Sequence, residues 1–290
     1  MSNAIIQSVM ARCLLEPDFL GLLSHNPSRA LKGYSLNEQS RREIEHLDLE
    51  RVGSFAGFII KVQHNYLWEY FPCARALLDY YRAEIDVFQS YSAHYHGKDS
   101  DGQPDRKRKI KNFLNWLESH LQASGQTFKG VADVLTHERI IWELGNKVGG
   151  KRSPASQTDA SSLKLAHFER LVPAARGAVR IGAFQYSPLK IVDSVSRNTF
   201  DPRRLRSKHQ SLCYWIDPDT HQLRMFEVDD VAAALLSAVD GRHSIGSIIQ
   251  ARRLRETTRI SRSDFREYFV SMEKQGVLRL MPSSVPTERK

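Results

Sequence analysis

Apolar positions recur at helical spacing through residues 8–95. Val9, Leu14, Leu15, Phe19, Leu22 and Leu23 open the series at helical spacings. Asn26-Pro27 places a capping residue before a proline in the first turn. Ser35-Leu36-Asn37-Glu38 fits a capping box with Ser35 as the cap. Asp48 can cap the next helix, where Val52, Phe55, Phe58, Ile59 and Val62 are expected to form one apolar stripe. Pro72 is expected to start a further helix that turns Ala76, Leu77, Tyr80, Tyr81, Ile85 and Phe88 toward a core. That helix fades through Tyr91 and stops at Gly97.

A polar loop over Lys98–Asp105 comes next. Arg106-Lys107-Arg108-Lys109 then leads an amphipathic helix with Ile110, Phe113, Leu114, Leu117 and Leu121, and Val131 to Leu144 carries another. Gly145–Ser162 is rich in Gly, Ser, Lys and Asp and reads as a linker. From Leu163 the pattern changes. Ala178–Phe184 and Leu189–Val195 are expected strands. Leu212–Ile216 and Leu223–Glu227 are expected to form a hairpin around Asp217–His221, a loop of about five residues with Asp and Pro turn chemistry. Three helices follow, beginning at Asp229/Asp230, at Ser244 and at Ser261 or Ser263. The third ends at Gly276, and Val277–Leu280 is a closing strand. The expectation is an α+β chain with an all-helical domain over residues 1–150 and a winged-helix-like domain over 163–290. The second domain holds a small antiparallel sheet and three helices.

At 290 residues, 41% hydrophobic and 26% charged, the chain is long enough for two cores. No apolar run approaches bilayer length, and the N-terminus lacks the pattern of a signal peptide. Cys13, Cys73 and Cys213 are odd in number and widely spaced. A disulfide scaffold and a thiolate metal site are therefore not expected, and a cytoplasmic protein is. The net charge of +9 is uneven. Residues 1–95 carry 9 Lys/Arg against 11 Asp/Glu, residues 96–180 carry 15 against 9, and residues 181–290 carry 18 against 13. An acidic peptide and a nucleic acid both suit the basic second half.

No active site is legible. His64 and Glu69 are five residues apart, which does not place two metal ligands on one helix face. No nucleophile elbow is present, and the glycines at 145–150 lack the spacing and the Ser/Thr of a phosphate loop. No catalytic or metal-ligating residue is assigned. The segment Gln63 to Pro72 is dense in aromatic and polar side chains, so His64, Asn65, Tyr66 and Trp68 are candidate interface residues. In the second domain the hairpin strand and third helix could form a peptide groove, with Leu223, Arg224, Met225, Phe226, Phe265, Arg266, Phe269 and Met272 as its candidates. The alternative is a DNA-binding regulator that reads the major groove with the helix around Arg262 and Arg266.

Val228–Gly241, with its Leu235-Leu236…Asp240-Gly241, followed by Ser244-Ile245 and Ile248, resembles the PqqD-type recognition element of ribosomal-peptide (RiPP) biosynthesis. Tyr268, Met272, Gly276 and Leu278 continue that pattern, with Tyr in place of Phe and Met in place of Leu. The resemblance covers about seventy residues and implies that a precursor peptide binds as an added strand. Ala11–Leu20 and Phe55–Trp68 are similar to the TglI-like helical accessory subunits of DUF692-type multinuclear iron enzymes. That resemblance implies a non-catalytic chain in a heterodimer. The chain would hold a carrier peptide while the partner's iron removes the β-carbon of its C-terminal Cys, as in 3-thiaglutamate biosynthesis. It implies no cofactor in this chain, and neither nucleic acid nor membrane as partner.

Overall fold

In the computed structural model, residues 2–95, 106–123, 128–146, 165–251 and 262–282 are described. Gly97, the loop over 98–105, most of the 145–162 linker, Ser261 and the tail after residue 282 lie outside them. The chain is mixed α+β and packs as two units. One is Met1–Leu135 with Ser194–Phe200; the other is Thr136–Asp193 with Asp201–Lys290.

The first unit runs α1 (Ser2–Leu15), α2 (Pro17–His25), α3 (Pro27–Ala30), α4 (Glu38–Glu45), α5 (Leu49–His64), a 3-10 turn (Asn65–Glu69), α6 (Pro72–Tyr80), α7 (Glu84–Tyr95) and α8 (Arg106–Ala123). Helix α9 (Val131–Gly145) starts in this unit and ends in the other. Helices α3, α4 and α5 start on side-chain caps, while α2 and α6 start on a proline with no side-chain cap. The Asn26 carboxamide accepts from the Arg29 amide (3.0 Å), and the Asp48 carboxylate accepts from the Arg51 amide (3.0 Å). The cap of α4 is Asn37, whose Oδ1 accepts from the Ser40 amide at 2.8 Å, and not Ser35 as expected.

Two further expectations need correction. The helix from Pro72 breaks at residues 81–83. The Arg82 amide reaches the Asp79 carbonyl and the Ala83 amide the Leu78 carbonyl, with Arg82 at φ 55°. This is a Schellman stop in which arginine takes the left-handed position that glycine usually fills. The stripe on α5 is also turned around. Val52 is buried, but Phe55, Phe58 and Val62 stay 53%, 47% and 60% exposed. The buried face is the one with Gly53, Ala56, Gly57 and Ile60. Gly57 lies so close to α7 that an added Cβ would sit 2.9 Å from the Ile85 carbonyl oxygen. Close approach of two backbones gains dispersion contacts that bulky side chains would prevent.

A charged clamp joins these helices. The buried Glu84 carboxylate at the start of α7 pairs with Lys61 from α5 and with Arg75 from α6 (3.0 Å). Behind the 3-10 turn, Trp68 meets Phe88 and Phe113 edge-on at ring separations of 5.6 and 5.4 Å, a favoured aromatic geometry.

The second unit continues from α9 through α10 (Leu165–Phe168), β1 (Val172–Ala175), β2 (Ala178–Phe184), α11 (Pro188–Ser196, whose last turn belongs to the first unit), β3 (Gln210–Ile216) and β4 (Leu223–Val228). It closes with α12 (Asp230–Ala238), α13 (Ile245–Gln250), α14 (Arg262–Lys274) and β5 (Leu278–Met281). Strands β2, β3 and β4 form one antiparallel sheet in that order, and β1 and β5 form a second. The closing strand therefore pairs with β1, which the sequence pattern did not show, and not with the hairpin. Leu189–Val195, expected as a strand, is helix α11. Its β-branched residues suit a strand, but Pro188 presets the first helical turn and only Pro188 and Ile191 are buried.

Strand β3 is buried from Ser211 to Ile216 because both its faces are covered. Cys213 and Trp215 face Leu235, Ile248, Phe265 and Phe269 of the helices. Leu212, Tyr214 and Ile216 face Ile140 and Leu144 of α9. Gly177 (φ +80°) lets the β1–β2 turn pass beside the Ile216 carbonyl, where any Cβ would be only 2.3 Å away. Among the described residues, no helix is long and apolar enough to cross a membrane.

Candidate functional site

Strand β4 has β3 as its only strand partner among the described residues, so its outer edge is open. Alternation sends Leu223, Met225 and Glu227 to one face and Arg224, Phe226 and Val228 to the other. Phe226 and Val228 pack against the helix-side core, and Leu223 packs against the α9-side core. Met225 remains 39% exposed. The Arg224 guanidinium lies 5.5 Å over the Trp215 ring and 3.2 Å from Asp217. The Asp217 carboxyl is held below its ordinary range, chiefly by the Asp219 amide that it accepts (2.9 Å), with Arg224 adding to the effect. The loop 217–222 thus fixes where Arg224 stands beside the edge.

On α14 the aromatic residues divide. Phe265, Phe269 and Met272 are buried in the core with Phe168 and Trp215, beneath any groove and not in its wall. Arg266 lies 5.5 Å over the Phe168 ring. Two residues along a helix is a turn of about 200°, so Tyr268 faces the other flank. There its hydroxyl donates to Asp229, the residue that follows β4 and caps α12 through the Ala232 amide (2.7 Å). The Asp229 bond is the main reason that the Tyr268 phenol is pushed up to about 12. The structure therefore gathers Arg224, Phe226, Asp229 and Tyr268 near one strand edge and leaves Arg266 elsewhere. Tyr268 and Asp229 were not among the candidates. Tyr268 stands three residues after Phe265 on an amphipathic helix, which is the signal that marks the rim of a buried face.

The aromatic segment divides in the same way. His64 and Trp68 are buried, His64 edge-on to Tyr91 at 5.9 Å. Asn65 is exposed. Tyr66 is half-buried under Arg106, whose guanidinium lies 5.2 Å over the ring and 2.7 Å from Glu69. The apolar surface next to Asn65 and Tyr66 is the stripe Phe55, Phe58 and Val62, with the two Phe rings stacked at 6.5 Å.

A second buried polar contact lies between α9 and β3. His137 Nδ1 is 2.7 Å from the Tyr214 hydroxyl. Burial lowers the His137 pKa and raises that of Tyr214, so both are neutral at pH 7. Among the described residues, no three His, Cys, Asp or Glu side chains converge as metal ligands. No protein-family model matches the chain, and no curated protein sequence matches it.

Proposed function

We propose that this chain is a non-catalytic peptide-binding subunit, in which a precursor peptide adds as a strand to the outer edge of β4. The observation that carries the reading is the open edge itself, flanked by Arg224 at one end and by Tyr268 and Asp229 at the other. Unpaired backbone N–H and C=O groups on an edge strand offer an extended peptide main-chain bonds. The alternating side chains beside them supply selectivity. On this reading the second unit is a winged-helix, PqqD-like recognition element. The described side chains of α14 favour peptide over DNA. Phe265 and Phe269 are inside, and Asp264 and Glu267 are among those exposed, which repels phosphates.

The resemblance of the helical half to TglI-like accessory subunits extends the proposal. The partner is a DUF692-type iron enzyme in the cytoplasm, and the peptide carries the Cys that it modifies. The docking face is then the exposed stripe Phe55, Phe58 and Val62 with Asn65 and Tyr66. His64 and Trp68 would hold that face in shape from beneath. Holding the peptide away from the reacting Cys raises the effective concentration of that Cys at the iron to the order of millimolar.

Two measurements test the reading. Co-expression with a DUF692-type enzyme should recover a heterodimer, and Phe58→Ser should break it without unfolding this chain. Fluorescence anisotropy with the labelled precursor peptide should show affinity falling about tenfold in Arg224→Ala. Unchanged peptide affinity would remove the β4 edge from the account.

A further inference from the structure

The three-stranded sheet has a second edge. Among the described residues, β2 pairs only with β3. Its outer side borders a cavity of about 520 Å³ that runs along residues 178–181. At the rise of an extended strand those four residues span about 13 Å. Leu236 and Val239, at the end of α12, wall the cavity on one side of the sheet, and Leu144, at the end of α9, walls it on the other. The cavity therefore wraps the strand edge and touches both its faces. An edge that only needs protection from aggregation is kept short, covered or charged. It does not need a concave slot with aliphatic walls on both sides.

The side chains around the slot define what fits. Val179 and Ile181 pack toward the helix-side core. Arg180, between them, points to the opposite face by strand alternation and is exposed. Its guanidinium is 3.4 Å from the Val179 carbonyl oxygen. Among the described residues no carboxylate lies within ion-pair distance of it. An incoming strand would take over that carbonyl with its own N–H and leave the guanidinium for an acidic side chain.

We propose that the β2 edge is a second docking site, for an extended peptide segment with aliphatic and acidic residues in alternation. The main chain pairs along Val179–Ile181, aliphatic side chains enter beside Leu236 and Val239, and a carboxylate meets Arg180. The site does not depend on the reading of β4.

The test uses the full chain and three fluorescein-labelled, end-blocked pentapeptides: Val-Glu-Val-Glu-Val, Val-Lys-Val-Lys-Val and Val-Glu-Pro-Glu-Val. The first should bind saturably. The second loses the carboxylate and the third the central N–H, and each should bind at least about tenfold more weakly. Arg180→Glu should reverse the preference between the Glu and Lys peptides. Ser237 is exposed and lines the mouth of the cavity, so Ser237→Trp should fill it and abolish binding with an unchanged circular dichroism spectrum. Arg224→Ala, on the opposite edge, should leave this binding as it is. No saturation up to about 1 mM, equal binding of the Glu and Lys peptides, or loss in Arg224→Ala with retention in Ser237→Trp would each overturn the proposal.

Discussion

The rotation of α5 decides which of its faces a partner can meet, and two substitutions on adjacent residues measure it. At Gly57 an added Cβ would lie 2.9 Å from the Ile85 oxygen, 3.0 Å from Gln89 Cβ and 3.1 Å from the Gln89 amide nitrogen. Two of these are backbone atoms of α7, so α7 must shift. Gly57→Ala gains about 1 kcal/mol of helix propensity, and overpacking costs about 1–3 kcal/mol. The net result is a loss of up to about 2 kcal/mol. Phe58→Ala has the opposite balance. A core phenylalanine would cost about 3–5 kcal/mol. Phe58 is 47% exposed and stacks mainly on Phe55, a contact worth about 0.5–1.5 kcal/mol. Alanine recovers about half of that in helix propensity, which leaves a loss below about 1 kcal/mol. The larger deletion should therefore be the milder one. Gly21→Ala serves as the control, because a Cβ there meets nothing within 4 Å and should raise stability by about 0.4–1 kcal/mol. Thermal and urea unfolding followed by circular dichroism read all three, with about 2–4 °C of Tm per kcal/mol at this size. A loss of more than about 3 kcal/mol in Phe58→Ala, with Gly57→Ala neutral, would mean that the aromatic stripe faces the core. The docking face proposed above would then be lost with it.

Other outcomes follow from the buried polar groups. Glu84→Gln leaves Lys61 and Arg75 around a neutral amide and should destabilise the first unit by about 1–3 kcal/mol in urea melts, the partial exposure of both cations moderating the loss. Burial depresses the His137 pKa below its ordinary 6.5. The unfolded chain therefore binds a proton that the folded chain refuses, and stability should fall as pH drops below about 6.5. His137→Phe should flatten the slope of stability against pH between about 5 and 7. The Tyr268 phenol, raised from 10 to about 12, stays protonated where an unfolded tyrosine ionises. Its contribution is thus complete below pH 10 and is lost as pH rises through about 12. Ultraviolet titration should show Tyr268 and the buried Tyr214 both missing from the tyrosines that ionise near pH 10, and Tyr268→Phe should remove the transition near pH 12 while the Tyr214 phenol still ionises late.

Where a local signal was itself the physical cause, the sequence was readable. Gly276 stops α14 with the Gly276 amide on Glu273 and the Val277 amide on Met272, and glycine at that position announces the stop. The same bond pattern ends α6 at Arg82, where nothing in the residue type gives notice, so one long helix was expected in place of two. The α5 stripe failed for a related reason. Large apolar residues mark a buried face only if that face wins the contact, and here Gly53 and Gly57 win it by letting α7 come close. Among the candidate site residues, Arg224 and Phe226 stand at the open edge. Phe265, Phe269, Met272, His64 and Trp68 are buried. A helix pattern shows which residues are apolar, but not which of them lies deep enough to be lost to a ligand. Strand β1 is four residues long, contains Pro173 and depends on β5 more than a hundred positions away, so no local pattern could reveal it.

Helix α9 sets how this chain can be divided. A fragment cut at the polar linker, beginning near residue 163, would lack Ile140 and Leu144, which cover one face of the sheet. It would also lack His137, the partner of the Tyr214 hydroxyl. Leu212, Tyr214 and Ile216 would then face water as an apolar strand surface, a template for aggregation. A fragment that begins at Thr136 keeps the cover but opens in mid-helix, with four amide donors left to solvent. The sheet-containing second unit is therefore separable only together with a stretch of chain that lies before the linker.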